Sequence, residues 1–485
     1  MRYIVKLFPE IMIKGASVKK KMTAQLADNL KRMLLQRNMA PQVKRFLDKI
    51  EVEVDDAHAN DAEDLLTHTP GIEQVLRVRQ FRLDPVSLEE IARIVVEQAA
   101  DRVRAKTFVV RVKRKGQHVF TSQEIERHVG GALLRTGETA GVDLHHPDVR
   151  VELEVENNTL SLIDARLPGL GGYPLGSQGE ALSLVSGGFD STVASYLSMR
   201  RGIKTHFLFF NLGGIAHDIG VKQVSYYLWQ RFGSSHRVRF ISVPFEGVVE
   251  GLLTQVPDSY MGVMLKRLML MAAERVADEM GLDALVTGES VAQVSSQTLR
   301  NLALIDQATD KLVLRPLAMM DKPDIIRLAD QIGTREFAET MPEYCGVISR
   351  NPVTHGSFKK LAEAEKRFDF SLLEDAVARR ERFNVDELVA NINAQQAVPV
   401  VNAVADGDVV VDIRMPEQAQ ARPLPEASLQ ISFHQLNRRF AELDPSKRYL
   451  LYCDKGVLSQ LHGQHLLTQG FDVRVYRPDG REGSA

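Results

Sequence analysis

A glycine-rich turn between a buried strand and a helix is the first feature of the sequence that could do chemistry. The segment LSLVSGGFDS (182–191) runs from an apolar stretch into Ser186, Gly187 and Gly188, and a helix is predicted to begin near Asp190. Glycines let the backbone approach a ligand closely, and the N–H groups of a first helical turn bind anions. The segment can therefore bind phosphate, although two adjacent glycines alone favour an ordinary strand–turn–helix corner.

The string SGGFDS resembles the phosphate loop SGGxDS of the ATP pyrophosphatases, or PP-loop enzymes. The Walker loop GxxxxGK[ST] does not occur in the sequence, so nothing indicates the lysine that holds the outer phosphates in kinase-like chemistry. The resemblance implies adenylation, in which a substrate oxygen attacks the α-phosphate of ATP and pyrophosphate leaves. It also implies contacts with the phosphates or their magnesium from Ser186, Gly187, Gly188, Asp190 and Ser191, and with the nucleotide from Leu184 and Val185. Within this set Asp190 would support metal or leaving-group chemistry.

Two later segments are expected to complete the ATP site. Lys266 lies in MLKRLM on a long predicted helix, and TGESVAQVSSQT (287–298) contributes Gly288 and Gln297. Taken alone, Lys266 fits a surface helix residue better than a ligand, so its assignment depends on the resemblance.

Cys453 is the second candidate for chemistry. It follows the apolar strand RYLLY and begins CDKGVLS, with the next helix predicted from about Ser459. Backbone N–H groups and a helix N-terminus around a thiol lower its pKa and so favour the nucleophilic thiolate. The segment resembles the active-site loop of rhodaneses, whose cysteine carries sulfur, and DIR (412–414) resembles their upstream strand. A buried, inert cysteine is the alternative.

Motifs along nearly the whole chain resemble the long form of the tRNA 4-thiouridine synthases, which ends in a rhodanese domain. They are KLFPEI, RVKRKG, SGGFDS, FNLGG, VTGE, QVSSQT, MPEYCGVIS and a terminal YCxxG. In that family the cysteine of MPEYCGVIS, here Cys345, partners the rhodanese cysteine, and the lysine of the DK pair, here Lys322, is linked to adenylation. The resemblance therefore implies Cys453, Cys345, Asp190 and Lys322 as catalytic residues, with ATP and Mg²⁺ as cofactors.

The resemblance also implies partners. The substrate would be tRNA, with its uridine at position eight as the target, and a cysteine desulfurase would load the persulfide. A thiol reductant and a sulfur-carrier protein of thiazole synthesis are further expected partners. Three alternatives stay open: a sulfur relay acting mainly on the carrier protein, a PP-loop amidotransferase or ligase using ammonia, and an RNA-binding scaffold with an inactive ATP loop.

The pattern of elements predicts an α/β protein of several domains. Strands and helices alternate from Glu180, which indicates a parallel sheet with right-handed crossovers. The Gly/Pro-rich residues 165–180 are expected to form a boundary, and 149–164 a hairpin that turns at Asn157–Asn158. With the resemblance, the domains are a ferredoxin-like α+β unit (1–60), a THUMP RNA-binding α+β unit (61–166), a PP-loop adenylation domain (176–373), a linker (374–403) and a rhodanese-like α/β domain (404–482).

Charge is segregated although the formal net charge is only -2. Residues 1–50 carry 12 Lys and Arg against 3 Asp and Glu, and a basic cluster (Arg111, Lys113, Arg114, Lys115) ends the predicted strand 107–116. Such runs are often solvated faces, but the THUMP resemblance favours contacts with RNA phosphates.

Composition places the chain among globular proteins of a reducing compartment. Two cysteines in 485 residues are too few for a disulfide scaffold. The amino terminus lacks the apolar core of a secretory signal, and no apolar run approaches the ~18 residues that span a bilayer. The sequence predicts a cytoplasmic protein without membrane contact, and leaves open whether it forms a homodimer.

Overall fold

A computed structural model describes most of the chain in two compact units, Met1–Ser177 and Gln178–Ala485. The described residues are 1–212, 215–339, 341, 351–388, 398–414, 416–432, 435–453, 459, 462–463, 466–467 and 469–478. Cys345 lies outside them. Within the described part, no helix is both long enough and apolar enough to cross a membrane.

One eight-stranded mixed sheet organises the first unit. Its elements are β1 (Arg2–Leu7), α1 (Pro9–Met12), α2 (Ala16–Gln36), β2 (Gln42–Arg45), β3 (Lys49–Glu53), α3 (Ala59–Thr67), β4 (Ile72–Arg82), α4 (Leu88–Val103), β5 (Thr107–Lys115), α5 (Ser122–Arg135), β6 (Gly141–Val142), β7 (Val149–Glu156) and β8 (Thr159–Gly171). The strand order is β2-β3-β1-β4-β8-β7-β5-β6. The predicted hairpin is present, because β7 pairs antiparallel with β8 across Asn157, which takes a left-handed φ of 53°.

Two apolar cores lie on this sheet, and they correct the predicted boundary at residue 60. The first core joins α2 to residues of α3 and the start of β4, including Leu65, Leu66 and Val75. The second core packs α4 and α5 on β5, β7 and the start of β8. Since β4 also pairs with both β1 and β8, the two predicted α+β units share one continuous sheet.

The chain divides into its two units after Ser177, within the Gly/Pro-rich residues 165–180 where the sequence predicted a boundary. β8 continues through them to Gly171 and pairs with β4, where Pro168 lies opposite Gln74 beside a shift in register. Proline is tolerated in a sheet at such irregularities because no ladder N–H is needed there.

A six-stranded sheet forms the centre of the second unit. Its elements are β9 (Glu180–Leu184), α6 (Phe189–Arg200), β10 (Lys204–Asn211), α7 (Ile215–Leu228), β11 (Arg239–Pro244), α8 (Glu246–Gln255), α9 (Met261–Met280), β12 (Ala284–Val286), α10 (Leu299–Asp306), β13 (Leu312–Leu314), α11 (Lys322–Gln331), α12 (Arg335–Glu339), α13 (Phe358–Glu365), α14 (Ser371–Ala378) and β14 (Glu381–Asn384). The order is β13-β12-β9-β10-β11-β14, and β9 to β13 are parallel as predicted.

The last strand, β14, corrects the predicted linker 374–403. It pairs antiparallel with β11 at the edge of the six-stranded sheet, and α14 contributes Leu373, Ala376 and Val377 to the main core. Arg380 and Arg382 both bind the Glu279 carboxylate of α9. Residues 374–388 thus belong to the central sheet and its core.

A smaller parallel sheet follows, made of five strands in the order β15-β19-β18-β16-β17. The elements are β15 (Val400–Val401), β16 (Val409–Asp412), α15 (Pro416–Ala421), β17 (Leu429–Gln430), α16 (Leu436–Phe440), β18 (Arg448–Tyr452) and β19 (Asp472–Tyr476). Its central strands are short apolar runs, as is expected of strands buried on both faces. Cys453 comes directly after β18.

Candidate functional site

The glycine loop lies where the strand order of the central sheet reverses. β9 pairs with β10 on one side and with β12 on the other, although β10 follows it directly in the chain. Ligands of open parallel sheets bind outside the carboxyl ends of the strands at such a switch point. The loop after β9 and the segment after β12 therefore meet in the expected crevice.

The loop itself is fixed by local hydrogen bonds. Gly187 has a left-handed φ of +81°, which a residue without Cβ adopts at least cost. The Ser191 hydroxyl accepts a hydrogen bond from the Ser186 amide at 3.1 Å. His217 Nε2 lies 2.9 Å from the Ser186 carbonyl oxygen, and burial lowers the pKa of His217, so its neutral ring donates this bond. Gly188 is the N-cap of α6, and the first residues of this helix, Phe189 to Ser191, line the cavity described below.

Gly288 allows the two strand ends to approach each other. A Cβ at this position would lie 2.6 Å from the carbonyl carbon of Asp190 and 2.7 Å from the amide nitrogen of Ser191. These contacts are with backbone atoms that cannot rotate away. Only glycine fits between β12 and the start of α6.

Asp190 and Lys322 form an ion pair at the mouth of the loop. Lys322 Nζ lies 2.8 Å from Asp190 Oδ1 and 3.0 Å from Oδ2, and 5.4 Å from the centre of the Phe189 ring. Gln293 Nε2 donates to Asp190 Oδ2 at 2.9 Å. Lys322 is the first residue of α11, so the DK pair singled out in the sequence meets the glycine loop through a helix start.

A buried charge network lies behind the segment that follows β12. Glu289 accepts from Lys266 Nζ at 2.9 Å, from Arg315 Nε at 2.9 Å and from the Thr287 hydroxyl at 3.1 Å. Burial alone would raise the pKa of Glu289, but the two cations lower it below its usual value. Glu289 is therefore ionised at neutral pH, and it holds Lys266 at the cavity wall.

These groups line one cavity of about 430 Å³, a volume in the range of small-molecule sites. Ten of the predicted residues line it: Leu184, Val185, Ser186, Gly188, Asp190, Ser191, Lys266, Gly288, Gln297 and Lys322. Gly187 does not line it and instead packs against Met341, whose Sδ would lie 2.8 Å from a Cβ there. A helix N-terminus, two lysines and a backbone without side chains at the strand ends fit a nucleotide polyphosphate.

The predicted Mg²⁺ has no preformed cage in the described residues, where no group of three or more His, Cys, Asp or Glu side chains converges. Magnesium is commonly held by one or two carboxylates together with substrate phosphates, and Asp190 is a carboxylate in the right place for that role. The metal stays a prediction.

Cys453 lies in the other sheet of the second unit and is buried, with 7% of its surface exposed. The Ser459 amide is 3.4 Å from its Sγ and donates to it, a contact that favours thiolate. Asp412 and Arg414 of the DIR segment form a buried ion pair, and the Arg414 guanidinium lies 4.9 Å from the centre of the Tyr452 ring next to the cysteine. Cys453 is not among the residues that line the cavity. The other predicted catalytic cysteine, Cys345, lies outside the described residues.

The basic residues of the first unit divide into paired and unpaired charges. Lys115 binds Asp48 at 2.8 Å and Lys49 binds Glu156 at 2.8 Å, so these two cations are neutralised. Lys113 on β5 and Lys44 on β2 are exposed and make no ion pair within the described part of the chain. The predicted footprint for RNA phosphates is thus smaller than the count of basic residues indicates.

Sequence reasoning missed several residues of the cavity. Glu289 lies three positions after the end of the buried strand β12, in the quoted string VTGE, and a carboxylate near a strand end was a usable signal. No signal in the sequence pointed to Arg315 or His217, because each comes close to the site only through the order of strands in the sheet. Met341 had none either, since a methionine is ordinary core material.

Comparisons with known proteins agree with this geometry. Residues 176–370 match the family model described as "Thiamine biosynthesis protein (ThiI)", and residues 85–163 match "THUMP domain". The tRNA sulfurtransferase of Vibrio parahaemolyticus is 49% identical over 487 residues, covering 99% of this chain and 100% of the relative. The tRNA sulfurtransferase of Photorhabdus laumondii is 48% identical with the same coverage.

A solved structure is similar as well. It is the crystal structure of a 4-thiouridine synthetase in complex with RNA and with bound ATP, and its TM-score with this chain is 0.70. The two are 28% identical, and the match covers 79% of this chain and 99% of the other. A Pyrococcus horikoshii protein matches with a TM-score of 0.52 at 17% identity, which shows a common fold.

Proposed function

Because this chain belongs to the tRNA sulfurtransferase family, we propose that it uses ATP to replace the 4-oxygen of uridine 8 in tRNA by sulfur. The uridine oxygen attacks the α-phosphate of ATP and pyrophosphate leaves. The sulfur comes from a persulfide on Cys453 that a cysteine desulfurase loads, in a cytoplasm that supplies the thiol reductant. The similarity to tRNA sulfurtransferases supports the sulfur transfer, and the chemistry at uridine 8 is the proposal.

The observation that carries the proposal is the single cavity at the switch point of the central sheet. This cavity collects residues that are far apart in the sequence, some by more than a hundred positions. They are the glycine loop, Lys266, Gly288, Gln297 and the Asp190–Lys322 pair. In the proposed complex the loop amides and Lys266 bind phosphate oxygens. Lys322 and Asp190 are proposed to lie beside the pyrophosphate as it leaves and becomes more negative. A cation at that position stabilises the leaving group.

The proposed sulfur transfer uses two thiols, those of Cys453 and Cys345. The outer sulfur of the Cys453 persulfide attacks C4 of the adenylated uridine and AMP leaves, which gives a tRNA joined to Cys453 through a disulfide. The Cys345 thiolate then attacks the Cys453 sulfur and releases 4-thiouridine. The remaining Cys345–Cys453 disulfide is reduced by an external thiol before the next cycle.

The first unit is proposed to bind the tRNA. Its match to the THUMP family and its unpaired cations support this role. Phosphate contacts orient a nucleic acid without reading its sequence, so the choice of uridine would come from tRNA shape and from the reach of the cavity.

The test is pyrophosphate release that depends on tRNA. Asp190→Ala removes the partner of Lys322 and should lower the rate of pyrophosphate release by at least about 100-fold. Loading of Cys453 with persulfide should be unchanged, because Cys453 does not line the cavity. Asp375→Ala, which removes an exposed carboxylate paired with Arg379 on α14, serves as the matched control and should keep both activities. Loss of both activities in a folded Asp190→Ala protein would contradict the proposal.

A second acceptor is a sulfur-carrier protein of thiazole synthesis. The family description that matches residues 176–370 names thiamine biosynthesis and favours this role. Sulfur transfer to the carrier would need Cys453 but no adenylation in the cavity. Asp190→Ala should therefore retain this activity, and a chain that acts only as such a relay would show no pyrophosphate release with any tRNA.

A further inference from the structure

The cysteine proposed to carry sulfur shares an apolar cluster with two helices of the central domain. Cys453 belongs to the same apolar cluster as Val224 and Tyr227 of α7 and Phe337 of α12. The remaining members of this cluster come from the five-stranded sheet and its helices. The cluster that contains the thiol therefore crosses from one domain to the other.

Phe337 is at the centre of this contact. Its ring centre lies 5.5 Å from that of Tyr227 and 6.4 Å from that of His462 in the C-terminal domain. The Tyr227 hydroxyl donates to the carbonyl of Ile332 at 2.7 Å, which fixes the ring against the turn between α11 and α12. Phe337 and Tyr227 are only 3% and 5% exposed. Phe337 thus contacts both its own domain, through Tyr227, and the C-terminal domain, through His462.

Tyr226, the neighbouring residue on α7, gives independent support. Burial raises its pKa above the ordinary value, and negative charge on Cys453 raises it further. The phenol therefore stays protonated at neutral pH. It also packs on Trp229, with ring centres 5.7 Å apart, so it is part of the central domain's own core.

The same two helices also border the nucleotide cavity. His217, near the start of α7, lines the cavity, and so do Ala338 in the last turn of α12 and Met341 just after this helix. Phe337 and Ala338 are adjacent in the chain, yet one contacts the cysteine cluster and the other contacts the cavity. α12 therefore lies between the thiol and the site where the uridine would be activated.

We propose that α7 and α12 form a docking surface that masks Cys453, so that the C-terminal domain must leave this surface before the cysteine accepts or delivers sulfur. The masked arrangement protects a reactive persulfide from solvent and small thiols. A persulfide donor and the surface of α7 and α12 would compete for the same face of the C-terminal domain. This inference deepens the proposed function by adding its regulation, but its central claim concerns access to the thiol.

The experiment measures alkylation of Cys453 by iodoacetamide in the full-length chain. Cys345→Ser serves as the background, because the chain has two cysteines and the variant leaves Cys453 as the single thiol. In this background Phe337→Ala should accelerate alkylation by at least about tenfold, since truncation of a buried aromatic anchor shifts a docking equilibrium by that factor or more. Phe358→Ala, the same change at a partly exposed ring that stacks on Arg300, should leave the rate unchanged.

A second substitution keeps the test decisive if Phe337→Ala unfolds. Phe337→Leu retains an apolar side chain and should accelerate alkylation by a smaller factor, with a cooperative thermal transition as proof of folding. Unchanged alkylation in a folded Phe337 variant would overturn the proposal. The proposal would also be overturned if Cys453 of the folded Cys345→Ser chain were alkylated as fast as it is in denaturant. Neither result depends on tRNA or ATP, so failure here is separate from failure of the proposed function.

Discussion

At the scale of single residues, the cavity depends on a carboxylate that is buried together with its cations. Glu289 has only 6% of its surface exposed and is bound by Lys266 and Arg315. A buried charge that loses its partner is costly, because the remaining ion keeps its desolvation penalty. The network therefore links the stability of the central domain to pH.

Glu289→Gln should test this link. The pKa of Glu289 is lowered in the folded protein, so its ionisation stabilises the fold above the ordinary value of 4.5, and this contribution is lost as the pH falls through the lowered pKa. At pH 7 the variant should lose about 3 kcal/mol of unfolding free energy. Below pH 4.5 the wild type should lose stability more steeply than the variant. Fluorescence of Trp229, the single tryptophan, reports on this unit.

A control is available in Glu374→Gln. Glu374 is exposed and pairs with Arg275 at 3.4 Å, so its removal should change stability by no more than about 0.5 kcal/mol. Parallel stability curves for the wild type and Glu289→Gln below pH 4.5 would show that Glu289 is not coupled to the two cations.

At the scale of elements, β5 offers a matched pair of lysines. Lys113 and Lys115 point to the same face of the strand, but only Lys115 is paired, with Asp48. If the first unit binds tRNA phosphates, Lys113→Ala should reduce the slope of log affinity against log salt by about 0.7 to 0.9. Lys115→Ala should reduce it less, because part of its charge is already neutralised.

Filter binding of tRNA at several salt concentrations measures both slopes. Equal effects of the two substitutions would mean that the Asp48 pair opens on binding. No effect of either would place the RNA contacts on other residues, with Lys44 on β2 as the next to test.

The elements that could be predicted from the sequence are those with local signals. The hairpin at Asn157 has two alternating strands and a turn residue that tolerates positive φ, and the parallel sheet has apolar strands that alternate with helices. β14 could not be predicted in this way, because ERFN is short and polar and becomes a strand only by pairing with β11. The extension of β8 past Pro168 likewise depends on a register shift in β4.

The residues of the candidate site could likewise be predicted only where their signal is local in the sequence. The residues of the glycine loop are consecutive, so the resemblance of its string to SGGxDS was enough to predict a phosphate site there. The pairing of Lys322 with Asp190, 132 positions apart, could be anticipated only from a family resemblance. The Glu289 network needs segments that the sheet order brings together, and the sequence contains no periodic pattern that reports this order.

At the scale of the whole molecule, the proposed cycle requires two cysteines from two domains to meet. Cys345→Ser should release pyrophosphate normally with tRNA but should stop after the sulfur has attacked, because no second thiol breaks the link between Cys453 and the uridine. Addition of a small thiol should restore turnover. The measurement is 4-thiouridine formed per enzyme, with and without the small thiol.

Two results together would assign a structural role to Cys345. The first is repeated turnover of Cys345→Ser without added reductant. The second is the absence of a Cys345–Cys453 disulfide in the wild type after one turnover, measured by mass spectrometry of the non-reduced protein. Cys453→Ser is the matched control and should form no 4-thiouridine with or without the small thiol.

The position of β14 fixes how far the sulfur carrier can travel. This strand holds the chain at the edge of the central sheet, so that only residues 389–397 join Leu388 to the C-terminal domain at Val398. Nine residues reach no further than about 30 Å when fully extended. A persulfide confined by so short a tether has an effective concentration of the order of millimolar at its own cavity. Transfer within one chain should then be insensitive to dilution of the enzyme, and a detached C-terminal domain should be a poor substitute for the covalently attached one.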